Sequence, residues 1–250
     1  MSKQLSTPSE DRVQVDYTGM SVSYDEHRFH GRKNRYLEMI RQRIVLKQVG
    51  AGGRDRKVLD VGCGTGRGLG YLVSGGFRDL TGLDYTQAML DRAREKLDKQ
   101  LPSNTITLQQ GDAFALPYEP ESYDLVISLN FIHLFALKTQ KEVMQQLYKV
   151  CKPGGRVVVE FENLHHGICM SRAKEQEMNS ETTLLNTYDD MKELFPSDMF
   201  DSVNISGTDI PIVHRIFRFM PPIGAMAESL LHFAPFNRCG GRFVVSARRI

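Results

Sequence analysis

Five positions carry the strongest chemical signal in the chain: Gly62-Cys63-Gly64-Thr65-Gly66, entered through Val58-Leu59-Asp60-Val61. An apolar strand that ends in glycines and opens a helix brings bare backbone close to a ligand, and the first helical turn presents unpaired N–H groups to it. Two acidic stations follow. Asp84 stands twenty residues after Gly64, where one carboxylate can accept both hydroxyls of a ribose. Gly111-Asp112-Ala113 sets an acidic side chain beside a backbone N–H, a pair that suits the exocyclic amine of adenine and a neighbouring ring nitrogen. Together these residues predict a site for an adenine nucleoside.

A dinucleotide site uses a similar turn, so the glycines alone do not decide the ligand. The third glycine of the dinucleotide pattern would fall on Arg67, which does not fit. A nucleotide-dependent oxidoreductase remains as a rival reading, as does a non-catalytic protein that binds the nucleoside. Each aspartate also has a purely structural use. Asp60 could cap the following helix, Asp84 could be a turn residue before Thr86, and Asp112 could close an Asx-turn. Gly66 could serve helix–strand packing, and Cys63 is a small residue of the turn.

Three histidines are candidate bases: His133 in Asn130-Phe131-Ile132-His133, and His165 and His166 at the end of Glu160-Phe161-Glu162-Asn163-Leu164-His165-His166. Histidine titrates near neutral pH. A base is needed only where an acceptor must lose a proton. Local packing of His133, and a surface loop for His165 and His166, account for them equally well. No His and carboxylate triad has ligand spacing, so no metal is expected.

The elements that must position these residues alternate. Helical spacing runs from about Tyr24 to Lys47, and GAGGRD at 50–55 breaks it. Strands are expected at Lys57–Val61, Asp79–Asp84, Asn104–Gln110, Tyr123–Leu129 and Arg156–Glu162. Helices are expected near Arg67–Ser74, Thr86–Lys99 and Lys138–Cys151, with a turn at Lys152-Pro153-Gly154-Gly155. Strands separated by helices of this length imply right-handed crossovers and a mostly parallel α/β sheet. The runs VLDV, DLVISL and RVVVEF suit strands buried on both faces. Later, Tyr188–Phe195 reads as a helix, Asp201–Ser206 as a strand and Arg242–Arg248 as a last strand. Between the latter two, residues 208–240 form an apolar, proline-containing cap.

With 250 residues, 41% apolar and 25% charged, the chain suits one folded domain. A net charge of +2 does not argue for a nucleic-acid partner. No run is long and apolar enough for a membrane span, and the polar first thirty residues lack a signal-peptide core. Four cysteines without paired spacing read as free thiols. A cytoplasmic location is the expectation.

Residues 57–162 resemble the class I, Rossmann-like S-adenosylmethionine-dependent methyltransferases, especially those acting on small molecules. The glycine turn, Asp84, the Asp112 pair and the run Pro117–Asp124 before the fourth strand occur in that family's order, over somewhat under half the chain. The resemblance implies a seven-stranded sheet with an antiparallel last strand. It implies that Gly62 and Gly64 line the methionine part of S-adenosylmethionine, with Asp60 nearby through the ammonium group. Asp84 would hold the ribose diol, Asp112 and Ala113 the adenine, and the Leu129 carbonyl the ammonium. An N-terminal lid would bring Tyr24, together with Tyr17, Arg28 and Phe29, towards the sulfonium.

The acceptor would lie beside the ends of strands four and five. Ser128-Leu129-Asn130-Phe131 lacks the Pro-Pro-aromatic signature of nucleic-acid amino-methyltransferases. No acidic residue between Ser128 and Lys141 could grip a guanidinium as protein arginine methyltransferases do. The expected activity is methyl transfer to an oxygen, nitrogen or carbon of a small-molecule acceptor. The expected layout is one domain over 1–250: lid helices at about 16–50, a cofactor core at 57–162, a substrate cap at 163–241 and the last strand at 242–250. A homodimer is left open.

Overall fold

The computed structural model describes residues 32–50, 53, 55–99, 106–163, 186–208 and 241–250. Among them are seven strands: β1 Lys57–Val61, β2 Asp79–Asp84, β3 Ile106–Gln110, β4 Tyr123–Ser128, β5 Cys151–Glu162, β6 Phe200–Thr208 and β7 Arg242–Arg249. The helices are α1 Arg32–Val49, α2 Arg67–Ser74, α3 Gln87–Leu97, α4 Leu137–Val150 and α5 Asp190–Leu194. The strands form one sheet in the order β3-β2-β1-β4-β5-β7-β6. β1 pairs in parallel with β2 and β4, β2 with β3, and β4 with β5, whereas β7 runs antiparallel to both β5 and β6. The seven-stranded, mostly parallel sheet and its reversed last strand follow the expectation.

Strand alternation sends neighbouring residues to opposite faces. Leu59, Val61, Val126, Val157 and Val159 pack with Val143 and Leu147 of α4 and with Met191 and Leu194 of α5. Val58, Leu125, Ile127 and Val158 pack on the other face with Ile40 and Ile44 of α1, Leu69 and Leu72 of α2 and Leu90 of α3. Both faces are therefore covered, which explains the near-continuous apolar runs. The buried apolar residues of α1 share one face: Tyr36, Ile40 and Ile44 stand four positions apart, as do Val45 and Val49. Near the end of α1, buried Gln48 donates to Ser206 Oγ (2.5 Å) and accepts from Ser246 Oγ (2.5 Å), tying the helix to β6 and β7. The described part of the 16–50 segment is thus built onto the sheet.

Described element boundaries match expectation or differ from it by one or two residues, with one informative exception. The Lys152–Gly155 turn lies inside β5. Tyr123 pairs with Cys151 and Leu125 with Arg156, so Asp124 alone faces the four residues between them. Asp124 accepts from the Lys57 N–H (2.8 Å) and from Lys152 Nζ (2.7 Å), which holds the bulge against β4. Cys63 and Cys151 are buried free thiols. No described helix is long and apolar enough to cross a membrane.

The strand order reverses about β1. The chain moves outwards through β2 and β3, then returns to β4 on the other side. In such sheets the carboxyl ends of the two strands at the reversal leave a crevice. β1 and β4 deliver Val61 and Ser128 to that point.

Candidate active site

Beyond Val61 the chain turns through Gly62, Gly64 and Gly66, with φ of 72°, 51° and 74°, a region that favours glycine. The Gly62 and Cys63 N–H groups both donate to Leu83 O (2.8 and 3.0 Å), anchoring the turn to β2. The three glycines face different surroundings. A Cβ on Gly66 would come within 2.8 Å of Leu97 and 3.0 Å of the Ala93 side chain, so this glycine lets α3 pack closely. A Cβ on Gly62 would fall 2.3 Å from the Phe131 ring. One on Gly64 would meet nothing within 4 Å among the described residues, so they leave the turn open there.

Asp84 links the turn to the next two stations. Its Oδ2 accepts from the Gly64 N–H (2.8 Å) and its Oδ1 from the Thr86 N–H (2.9 Å). Its backbone carbonyl accepts from the Gly111 N–H (3.0 Å), which docks the end of β3 at the same place. Burial raises the Asp84 pKa, while N–H groups of Thr86, Gly64 and Tyr85 oppose the rise. The Thr86 bond is the turn use anticipated for this residue; the Gly64 bond is not, and it fixes the carboxylate against the open glycine. A carboxylate oxygen can accept more than one hydrogen bond, so two neighbouring hydroxyls can still bind this group.

Asp60 is 1% exposed. It accepts from the Leu69 N–H in the first turn of α2, which is the capping use, but Oδ1 has no hydrogen-bond partner among the described residues. Oδ2 lies 2.5 Å from where a Cβ on Gly68 would stand, so glycine is required there for the carboxyl to fit. Burial and the nearby Asp84 charge raise its pKa to about 8, against Arg67 and the Leu69 N–H. Two carboxyl groups meet here, one with an unsatisfied oxygen, and a cationic ligand would relieve both the desolvation and the repulsion. The ammonium and ribose diol of S-adenosylmethionine are groups that this pair of carboxylates fits.

Asp112 Oδ1 accepts from the Phe114 N–H (2.9 Å) and its carbonyl from the Ala115 N–H (3.1 Å), forming the Asx-turn that was the structural alternative. The turn holds Asp112 and buried Ala113 next to Gly111 and hence to Asp84. Leu129 follows β4 directly, and its side chain lies 3.3 Å from the Cβ position of Gly68, close to Asp60. Arg67, the residue at odds with a dinucleotide site, lies 3.4 Å from Glu38 of α1 in an ion pair.

His133 sits in a single 3-10 turn, Ile132–Leu134, between β4 and α4. It is 2% exposed and lies close enough to Glu160 to help lower the pKa of that carboxyl. His165, His166, Tyr24, Tyr17, Arg28, Phe29 and the apolar cap at 210–236 lie outside the described residues.

Sequence reasoning missed a buried charge cluster at the end of β5. Glu160, 1% exposed, lies 3.0 Å from Arg41 Nε and 3.5 Å from Arg242 Nη1, while Glu162 lies 3.1 Å from Arg242 Nη2. Neither Glu160 oxygen has an aligned hydrogen bond among the described residues, so charge attraction holds the group. Burial would raise its pKa, but Arg41, Arg242, Arg67 and His133 outweigh that and hold it below the ordinary glutamate range. Arg242 also donates to Asn130 Oδ1 (2.8 Å), and Asn130 takes a left-handed φ of 57° just after β4. The available signal was Glu160 itself, an acid inside the apolar run RVVVEF. Among the basic residues of α1, Arg41 is buried, at 6% exposed. An open depression lined by Arg56, Asp124 and Lys152–Gly155 lies at the amino ends of β1, β4 and β5, the end opposite the glycine turn.

Residues 58–155 match the model of a methyltransferase domain. The chain is 30% identical over 163 residues to a demethylmenaquinone methyltransferase of Lactococcus lactis, covering 63% of this chain and 61% of that protein. It is 39% identical over 101 residues to the same enzyme of Lactobacillus johnsonii, covering 40% of this chain and 41% of that one. The chain thus spans about two to three fifths of the length of these curated relatives. Among solved structures it is similar to magnesium protoporphyrin IX methyltransferase from Synechocystis, which contains S-adenosylhomocysteine, with a TM-score of 0.63 and 16% identity, covering 94% of this chain and 97% of that one. The sheet order, the glycine turn with its three aspartates and the match over 58–155 agree: this part of the chain resembles a methyltransferase domain, set in the α/β fold of such solved structures.

Proposed function

We propose that the protein transfers a methyl group from S-adenosylmethionine to an oxygen, nitrogen or carbon of a small metabolite by direct displacement. The observation that carries this reading is the meeting of Asp60, Gly64, Asp84 and Asp112 at one end of the sheet, with a buried Asp60 oxygen still lacking a partner. S-adenosylmethionine, when bound, supplies an electrophilic methyl group on a sulfonium sulfur. Asp84 holds the ribose diol, Asp112 and Ala113 the adenine, and Asp60 and the Leu129 carbonyl the ammonium end. Gly62 and Gly64 let the backbone approach the methionine chain.

Displacement needs nucleophile, carbon and leaving sulfur in line, and orientation of this kind contributes about 7–11 kcal/mol. Where the acceptor must lose a proton, His133 is the assigned base. It lies just beyond β4, and the Glu160 charge would stabilise the imidazolium that forms when His133 takes a proton. A small acceptor is favoured because the curated relatives above are named for one. The absence of the nucleic-acid and guanidinium signatures after β4 points the same way.

The test is incubation with S-adenosylmethionine labelled in its methyl group and a metabolite extract, followed by identification of the labelled product. A labelled small molecule is the expected result. Binding of S-adenosylhomocysteine without product from any extract would make the protein a non-catalytic binder. Tight binding of NAD and none of S-adenosylhomocysteine would make it an oxidoreductase.

A further inference from the structure

The face of the turn at Gly62 is covered by an aromatic ring to which the reading above gives no role. A Cβ placed on Gly62 would fall 2.3 Å from Phe131 Cγ, 2.5 Å from Cδ2 and 2.8 Å from Cβ, so the side chain lies directly on bare backbone. No described residue stands within 4 Å of a Cβ on the neighbouring Gly64. Phe131 is held in place: its ring meets Phe135 edge to face at 5.1 Å and 73°, and Phe135 meets Phe114 at 5.2 Å and 80°. The N–H of Phe114 is in turn held by Asp112. Three rings thus run from the loop after β3 to the loop after β4, with Phe131 and Phe114 partly exposed at the ends and Phe135 buried between them.

A sulfonium carries a positive charge but has no hydrogen-bond donor, so a carboxylate cannot grip it as it grips an ammonium. An aromatic ring attracts such a cation through its quadrupole. Resting on the reading that Gly62 lines the methionine part of the cofactor, we propose that Phe131 senses the charge of the methyl donor, binding the sulfonium in preference to the neutral thioether left after transfer. This ring distinguishes donor from spent product at the one atom that changes charge. It is a specificity determinant, and it takes no proton and forms no bond.

The test is calorimetric titration of wild type, Phe131→Leu and Phe131→Tyr with S-adenosylmethionine and S-adenosylhomocysteine separately. Phe131→Leu should weaken S-adenosylmethionine about 2- to 30-fold, the range for a lost cation–ring contact. S-adenosylhomocysteine should change less than about 2-fold, and its retained binding shows that the variant is folded. Phe131→Tyr should restore the preference. Equal losses for both ligands would make the ring a plain wall, and unchanged affinity for both would remove it from the site; either overturns the proposal alone. Wild type binding neither ligand would overturn the cofactor reading and this proposal with it.

Discussion

Replacing Asp60 by asparagine keeps the size of the side chain and the acceptor for the Leu69 N–H but removes the ability to ionise. In the folded protein, burial and the Asp84 charge raise the Asp60 pKa to about 8; in an unfolded chain an aspartate titrates near 3.9. Between those limits the folded state holds one proton that the unfolded state has lost. Stability therefore falls as pH rises, by about 1.4 kcal/mol per pH unit for one proton. The loss begins above pH of about 4 and levels off above about 8. From pH 5.5 to 8.5 the single proton accounts for about 3 kcal/mol, and relaxation around a newly charged carboxylate reduces this to an expected 2–3 kcal/mol. Urea unfolding of the cofactor-free protein at those two pH values measures it. The wild type should lose about 2–3 kcal/mol more than Asp60→Asn across the interval. Parallel pH dependences in the two proteins would refute the argument. A second readout is independent of folding. An incoming ammonium favours the ionised carboxyl, so binding of S-adenosylhomocysteine near pH 7 should release a proton from the wild type. Calorimetry in buffers of different ionisation enthalpy should show no such release from the variant.

Three further substitutions probe other parts of the site. Asp84→Ala should weaken S-adenosylhomocysteine binding by about 1.5–3 kcal/mol, the scale for hydrogen bonds to a charged group, in calorimetric titration; unchanged affinity would contradict the ribose assignment. Glu160→Gln leaves Arg41 and Arg242 facing each other across a buried site, and urea unfolding should show a loss of about 3–5 kcal/mol. Because the Glu160 pKa is depressed in the folded state, its stabilisation is present above the unfolded value near 4.3 and disappears as pH falls through the folded value. His133→Ala should slow methyl transfer while leaving S-adenosylhomocysteine affinity unchanged, and an unaltered rate would remove His133 as the base.

The sheet was legible because its evidence is local. VLDV, DLVISL and RVVVEF are apolar on both faces, and the helices between them repeat their buried residues at helical spacing. The cofactor stations were legible for the same reason: each is a strand end followed by glycine or aspartate. What could not be read locally were contacts set by tertiary packing. The bond between the Gly64 N–H and Asp84 joins residues twenty apart, and the buried pair Arg41–Glu160 joins α1 to β5. Helix α1 reads as basic and solvated because its sequence does not say which arginine faces the sheet. The 3-10 turn carrying His133 was not legible either, because it follows from the packing of Phe131 against Gly62 and Phe135 before α4 begins. The Lys152–Gly155 bulge depends on Asp124, a residue of another strand.

Asp60 and Glu160 pose the same physical problem and receive opposite solutions. Each is an acid within an apolar run of its strand, each is 1% exposed, and burial drives both pKa values upward. For Glu160 the chain provides its own counter-charge in Arg41 and Arg242, so the carboxylate stays ionised and the cluster is complete. For Asp60 the strongest charge nearby is another carboxylate, Asp84, and Arg67 is already engaged with Glu38. A buried acid left with an unsatisfied oxygen and a like-charged neighbour destabilises the empty fold. The element that would cancel that cost has to come from outside the chain, it has to be positively charged, and it has to reach a point between β1 and the open side of the glycine turn.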